Sequence, residues 1–364
     1  MSYPIRSQRA LPLEAYRPDA HHTDTVAVFG GGWVFVATAD EVAEPGDHVP
    51  VMVGDQPVIV LRDQDGDLQA LANLCAHRGT LLVDEPGNTK RFQCPYHAWT
   101  FADDGRLLGA PHTDRSEIDR EALCLPRYRA ESWHGLVFVS LDPAVPPLAE
   151  RLAHLDEIVD PLGLGDLHHW TSRRRVETWD CNWKLAITNA MESYHLFKVH
   201  PETLEPYTPT TGSYYIRGAA DGTATGGSST RGEDYVLLSL PPNLVGVATG
   251  GTFLWQAVFP LAHDRCRVVA GGAYPSADPD QSGTVGRLVK KAYGAAMEAM
   301  IPDFLPEDKA ICERGQKAAS GTFEPGPLVA MEQVVTDFHA FLARQLHGVT
   351  PPPPGGPIKE RNDA

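Results

Sequence analysis

Two short motifs mix thiol with imidazole: Cys75-x-His77 in "CAHRGT" and, after sixteen intervening residues, Cys94-x-x-His97 in "FQCPYHAWTF". Thiolate and imidazole together select zinc or iron–sulfur over hard cations. Zinc knuckles usually offer C-x2-4-C followed by a helix with paired histidines, and this chain offers two mixed pairs instead. A second constellation lies in "MESYHLFKVHPETL", which carries Glu192, His195 and His200. At about 3.6 residues per turn, a five-residue spacing swings His200 about 140° away from His195, so a regular helix cannot aim both at one ion. Pro201 disfavours the α conformation at His200. The helix is therefore expected to give way between Phe197 and His200, bringing the second imidazole back towards the first. Glu192, three residues before His195, is expected on the same helix face, placed to accept from its ring as an orienting carboxylate. Two histidines and one carboxylate make the open-sided set suited to oxygen-activating Fe(II). Asp303, Glu307, Asp308 and Glu313 in "IPDFLPEDKAICERGQ" are the acids on offer. Glu307 and Asp308 would equally suit the first turn of a helix opening at Pro306, where a carboxylate meets the positive end of the dipole.

These residues need elements to hold them. From about Trp33 to Leu141 the chain reads as short apolar runs, "WVFVATA", "VPVMVGDQPVIVLRDQDGDLQALANLC" and "GLVFVSLD", with "DGD" and "DDG" as hairpin turns. This is the pattern of a small all-β domain. Proline-rich residues 142–165 with one short amphipathic helix mark a boundary. Beyond it, strand-like "HHWTSRRRVETW" leads into helical "NWKLAITNAMESYHLF", then strand-like "SYYIRG", "DYVLLSL", "TFLWQAVFP" and "RCRVVAGGAYP". Helical patterns at 282–301 and 327–346 follow. The mixture predicts an α+β domain, helices against an antiparallel sheet.

The mixed Cys/His pairs, Arg78-Gly79 after the first, the "CPYHAWTF" frame of the second, and Glu192-x2-His195-x4-His200 between "NWK" and "HPETL" resemble the catalytic (alpha) subunits of Rieske non-haem iron oxygenases. The late "ED…CE…Q" segment of that family matches Glu307, Asp308, Cys312, Glu313 and Gln316. The resemblance implies an all-β Rieske domain over 33–145 and a helix-grip, START-like α+β catalytic domain over 146–347. It adds an N-terminal segment, 1–32, packed on the catalytic domain, and a disordered tail, 348–364. It implies a [2Fe–2S] cluster on Cys75, His77, Cys94 and His97, and mononuclear Fe(II) on His195, His200 and Asp308, with O2 as co-substrate. Glu192 would be the electron-transfer bridge between subunits of a homotrimer. Imidazole in place of two thiolates puts such a cluster at roughly −150 to +300 mV, against about −400 mV for plant-type ferredoxins.

The chemistry implied is hydroxylation or oxidative N/O-demethylation of a small organic substrate, with cis-dihydroxylation of an aromatic ring as the alternative and a pure electron-transfer or redox-sensing protein as the rival class. Glutamate at 192, rather than the aspartate usual among ring dihydroxylating members, is closer to the glycine betaine, carnitine and proline betaine enzymes. An aromatic pocket could hold their quaternary ammonium by cation–π contact. Trp255, Phe259, Tyr214, Tyr215 and Phe253 are the candidate walls.

Electrons must come from elsewhere. "GLGDLH" at 163–168 lacks a third glycine and a preceding strand, so it reads as a helix-ending turn rather than a dinucleotide site. A separate NAD(P)H-dependent reductase, with or without a ferredoxin, is expected. Asp and Glu (47) exceed Lys and Arg (31), for a net charge of −16, which disfavours DNA, RNA and anionic membrane as partners. The N-terminus has no secretory apolar core and no stretch approaches a membrane span. A cytoplasmic protein is expected, with its six cysteines kept as thiols or ligands.

Overall fold

The computed structural model describes residues 3–114, 118–164, 170–230, 232–249, 252–275 and 303–348. The helical pattern at 282–301 and the tail from 349 lie outside the described residues.

The first half is all β, in the order β1 (Val34–Thr38), β2 (Asp47–Val53), β3 (Gln56–Arg62), β4 (Leu68–Ala72), β5 (Gly87–Asn88), β6 (Arg91–Gln93), β7 (Thr100–Ala102), β8 (Leu107–Gly109), β9 (Arg127–Trp133) and β10 (Leu136–Ser140). Seven of these form one antiparallel sheet, ordered β1-β10-β9-β4-β3-β2-β5, and β6-β7-β8 form a second, smaller one. The turn chemistry is that of the sequence. Gly66 of "DGD" and Gly105 of "DDG" sit at φ +90° and +86°, a region glycine enters without steric cost. Asp63 Oδ1 accepts from the amides of Asp65 and Asp67, fixing the first of these turns.

The second half is built on β11 (Trp170–Trp179), β12 (Tyr214–Ala219), β13 (Gly222–Ser228), β14 (Asp234–Leu240), β15 (Leu244–Thr249), β16 (Thr252–Ala262) and β17 (Arg265–Pro275). They form one antiparallel sheet in the order β11-β17-β16-β15-β14-β13-β12. Helices α1 (Trp183–Met191), α2 (Leu196–Val199), α3 (Leu305–Gln316) and α4 (Gln333–His347) complete the domain. Strands β13 and β15 are absent from the sequence reading: "GTATGGS" is rich in glycine and "LVGVAT" is interrupted by one. The last helix begins six residues later than the pattern at 327–346, because a 3-10 turn, Ala330–Glu332, precedes it.

Gly163 ends the helical turns after the first domain in a left-handed conformation, φ +66°. That is the helix-ending role expected of "GLG".

The halves share a core. The Asn243 side chain pairs with both backbone polar groups of Phe35 in β1, at 3.0 and 2.9 Å, and the Trp255 indole meets the Phe35 ring edge-on at 5.2 Å. N-terminal residues reach α1: Asp24 accepts from Tyr3 Oη (3.0 Å), from Trp183 Nε1 (3.2 Å) and from the Lys184 ammonium, with both charged side chains fully buried. All six cysteines are unpaired. Among the described residues no helix is long and apolar enough to cross a membrane.

Candidate metal centres

The two Cys/His loops close in the same way. Cys75 N donates to Thr80 O and Gly79 N to Cys75 O; Cys94 N donates to Trp99 O and Ala98 N to Cys94 O, all at 2.8–3.0 Å. In each loop the residue four after the cysteine turns to positive φ, +72° at Gly79 and +58° at Ala98. The result is a pair of matched knuckles. Their thiols are buried, Cys75 2% and Cys94 3% exposed, and burial pushes the Cys75 thiol up, with Cys94 beside it adding to the effect. Their imidazoles face outward. The rings of His77 and His97 lie 4.8 Å apart, His77 is stacked on Trp99 at 4.6 Å, and Tyr96 covers His97 at 3.8 Å with Arg78 over its own ring.

This arrangement bears on the choice of metal. A single tetrahedral zinc draws its ligands together around one point. Among the described residues, the only three ligand atoms within 4.8 Å of one another belong to His195, His200 and Asp308. The Cys/His quartet divides instead into an inner pair of thiols and an outer pair of imidazoles, which fits a two-iron cluster with sulfur on one iron and nitrogen on the other.

The second centre starts from a break. Helix α1, capped by the Asn182 side chain on Lys184 N (3.0 Å), ends at Met191, and Glu192 is already extended, φ −118°, ψ 163°. This corrects the expectation that the helix would hold until Phe197. Glu192 gives the reason: its carboxylate accepts from the amides of Tyr194 and His195, capping a new turn and ending the old. Helix α2 is that single turn, with His195 at its N-cap and His200 at its C-cap. Pro201 acts where it was expected to, since His200 leaves helical geometry at ψ 44°. Glu192 and His195 therefore meet, Oε1 to Nδ1 at 2.6 Å, by a cap rather than across one helix face.

Helix α3 begins with Pro306 in its first turn and carries Glu307 and Asp308 there. Dipole and chemistry coincide on the same turn. Asp308 Oδ1 lies 2.9 Å from His200 Nε2 and 3.5 Å from His195 Nε2, and Asn189 from α1 donates to it at 2.7 Å. Glu307 turns to the other side of His200, Oε2 to Nδ1 at 2.7 Å, and also takes the Thr203 hydroxyl. Each imidazole thus has one carboxylate fixing its Nδ1, leaving both Nε2 atoms directed at the Asp308 carboxylate. Between Glu307 and Asp308, geometry selects Asp308 as the acid at the shared point. Asp303 is instead paired with Arg175 at 2.9 Å, and Glu313 with the amide of Asp180 at 3.0 Å. Asn189 and Thr203 carry no sequence signal for these contacts.

Electrostatics follow the contacts. Burial alone would depress His195, but the carboxylates of Asp308 and Glu192 override it and lift its pKa to about 9. His200 is raised in the same way. Burial works against the Asp308 carboxylate, yet the two imidazoles and Asn189 hold it below its usual range. A cation at this point would take over the role these protons play.

The site opens on a cavity of about 450 Å³ lined by His195, His200 and Asp308 together with residues of β14 to β17. Strand register decides which side chains form its wall. Leu237, Val247, Leu254 and Gly272 are successive cross-strand partners, as are Val245, Gln256 and Ala270. All border the cavity, so this face of the sheet turns to the metal residues. Trp255, Phe253 and Phe259 alternate with them and belong to the opposite face. Trp255 borders the cavity, but its indole packs between Phe35 and the Arg174 guanidinium. Phe253 and Phe259 are buried away from it, Tyr214 is 40% exposed, and Tyr215 donates to Asp337 at 2.7 Å. The expected aromatic wall is thus replaced by an aliphatic one, with Tyr235 and Phe304 as the described lining rings besides Trp255.

Residues 32–129 match the family described as Rieske [2Fe-2S] domain, and residues 167–234 and 213–348 match that described as ring hydroxylating alpha subunit (catalytic domain). The glycine betaine monooxygenase oxygenase subunit of Chromohalobacter salexigens is 33% identical over 201 residues, 55% of this chain and 45% of the relative. The anthranilate 1,2-dioxygenase large subunit of Acinetobacter baylyi is 35% identical over 191 residues, 50% of this chain and 40% of the relative. The chain spans about half the length of the curated relatives it matches. Among solved structures, the quaternary ammonium Rieske monooxygenase CntA superposes with a TM-score of 0.80 at 22% identity, covering 94% of this chain and 96% of that one. Naphthalene 1,2-dioxygenase from Rhodococcus sp. gives 0.77 at 20% identity, covering 94% and 95%.

Proposed function

This chain belongs to the Rieske ring-hydroxylating oxygenase alpha subunits, and from that premise we propose that it is the oxygenase component of a multicomponent monooxygenase that hydroxylates, or oxidatively N/O-demethylates, a small organic substrate. The observation that carries the reading is the convergence of His195, His200 and Asp308 beside a cavity of about 450 Å³, a size suited to a small ligand. An electron carrier or zinc-stabilised module would have no use for that pairing of open ligand set and cavity.

Cys75, His77, Cys94 and His97 would hold a [2Fe–2S] cluster, and His195, His200 and Asp308 a mononuclear Fe(II). When bound, the two groups supply one-electron transfer and activation of O2, with reducing equivalents from NAD(P)H. The chain's own residues prepare for this. Glu192 and Glu307 hold the two Nδ1 atoms, which keeps the imidazoles in the tautomer that presents Nε2. Asn189 fixes the remaining carboxylate. The aliphatic wall excludes water from the space where substrate would sit, strengthening the charge interactions around it.

Glu192 is the proposed bridge between subunits of a homotrimer, joining the outward-facing His97 of one copy to His195 of the next. A separate reductase, with or without a ferredoxin, would dock from outside, and the cytoplasm, where NAD(P)H is available, is the proposed location. A second reading, cis-dihydroxylation, is supported by the 35% identity to a ring dioxygenase subunit. Isotopic labelling separates the two. With a surrogate reductase and labelled O2, one labelled atom is expected in a hydroxylated product, or release of formaldehyde alongside a demethylated one; two labelled atoms in a diol would favour the dioxygenase, and O2-dependent product formation in Asp308→Ala would contradict both.

A further inference from the structure

Among the described residues on the metal-facing side of the cavity wall, one polar side chain makes no hydrogen bond to another described residue. Gln256, in the middle of β16, stands on the face shared by Leu254, Val245 and Val247 and lines the cavity. It is 8% exposed, no hydrogen bond joins its amide to another described residue, and the amide faces the cavity. The other polar side chains on that face are satisfied: Tyr235 Oη by Ser213 and Ser193, Thr208 by Leu204 O, Arg175 by Asp303, and the metal residues by one another. The Trp255 indole N–H is also unpaired, but it lies on the opposite face, against Phe35.

A carboxamide on an apolar wall is harder to desolvate than an aliphatic side chain. An aliphatic residue would fill the same wall at no such cost. Leucine occupies the neighbouring face position at 254, so the strand tolerates it. A carboxamide in such surroundings is paired by whatever enters the cavity, and a ligand that displaces water from it must replace the lost hydrogen bonds.

We infer that Gln256 is the residue that reads the substrate, and that the substrate is a neutral molecule carrying one carbonyl or carboxamide on an apolar body. This rests on the reading of the cavity as the oxygenation site. The charge and shape of the lining narrow the class. A quaternary ammonium has no N–H to give and no lone pair to offer, so it leaves Gln256 unsatisfied. It also finds no ring cage, since among the described lining residues the rings of Tyr235 and Phe304 are the only ones on the cavity side. A carboxylate would meet Glu192 and Asp303, and Arg175, the arginine among the described lining residues, is already paired with Asp303 and Glu177. A carbonyl takes the Gln256 N–H, and a carboxamide takes it and returns one to the Gln256 oxygen. The remainder of the molecule then rests on Leu237, Val247 and Leu254.

The test compares four nearly isosteric probes on the iron-loaded protein by calorimetric titration: benzamide, cumene, phenyltrimethylammonium and benzoate. Wild type is expected to bind benzamide about 3- to 10-fold more tightly than cumene, the range a net hydrogen bond supplies, and more tightly than either ion. Gln256→Leu should bring benzamide and cumene to within about 2-fold of each other while leaving iron content and visible spectrum unchanged. Gln256→Glu should weaken benzamide less than the leucine change does, because it keeps an acceptor. The inference is overturned by a benzamide preference that survives in Gln256→Leu, by either ion binding most tightly, or by no preference for benzamide over cumene in wild type. Its failure is separable from that of the proposed function. A benzamide preference in a protein that forms no O2-dependent product would contradict the oxygenase reading alone, whereas turnover with an unchanged preference in Gln256→Leu would contradict the role of Gln256 alone.

Discussion

At the scale of single residues, adjacent acids have been given different work. Glu307 and Asp308 follow one another in α3, yet one grips His200 from its Nδ1 side and the other faces the Nε2 atoms of both histidines. Losing an orienting partner typically costs 10- to 100-fold in metal affinity. Glu307→Ala should therefore lower iron affinity by about that factor, measured by chelator competition, while Asp308→Ala should abolish stable loading; equal effects would contradict the division of roles. The four Cys/His residues and the two histidines stood out in the sequence by type and spacing, whereas Asp308 was singled out among four acids only by the resemblance of its segment to the family's late motif; the structure brings it to the two histidines. The sequence could not show which nitrogen each carboxylate would hold, since that depends on where α3 crosses α1.

At the scale of elements, α1, which precedes the candidate metal residues, is held by the N-terminal segment. The Asp24–Lys184 pair is fully buried, and removing one member leaves the other charge uncompensated, which costs about 3–5 kcal/mol. Asp24→Ala should show that loss in urea unfolding. A loss near that of an exposed pair would mean the N-terminal segment contributes little to holding α1.

Helix α4 carries a further dependence. His339 is buried with its Nδ1 unpartnered, and desolvation lowers its pKa to about 4, with the Arg9 backbone opposing in part. The depressed folded value means that the unfolded chain takes up the proton first. Stability should be at its full value above about pH 6.5 and fall as the pH drops towards 4, by about 3 kcal/mol at about 1.4 kcal/mol per unit. His339→Gln, followed by denaturation at several pH values, should flatten that slope; an unchanged slope would assign the acid sensitivity elsewhere. Element boundaries were the least legible part of the chain. The break after Met191 comes from a side chain capping its own backbone, at Glu192, a signal weaker than the proline that was read. The cavity wall was misjudged for a related reason: a strand such as β16 presents two nearly equally apolar faces, and only pairing reveals that Leu254 and Gln256, not Phe253 and Trp255, turn towards the metal residues.

At the scale of the whole molecule, the two candidate centres sit in different domains joined by shared core, with His77 and His97 facing outward and the three-residue site facing a cavity. If electron transfer runs between copies, each chain supplies its cluster to a neighbour. A His97→Ala chain and an Asp308→Ala chain, each inactive alone, should then regain part of the activity when co-assembled. No recovery in mixed oligomers would confine transfer to one chain. The fold class was legible because the first half is strand-like almost throughout while the second mixes helical and strand-like segments. The glycine-rich β13 and the glycine-interrupted β15 were hidden because their strand character is supplied by neighbours rather than by their own residues.

The central claim, two separate iron centres on one chain, is tested most directly by metal and acid-labile sulfide analysis of fully loaded wild type beside Asp308→Ala. About three irons and two sulfides per chain are predicted for wild type, falling to about two irons with the sulfides unchanged in the variant. An identical iron-to-sulfide ratio in the two proteins, or zinc in place of iron and sulfide, would contradict the account.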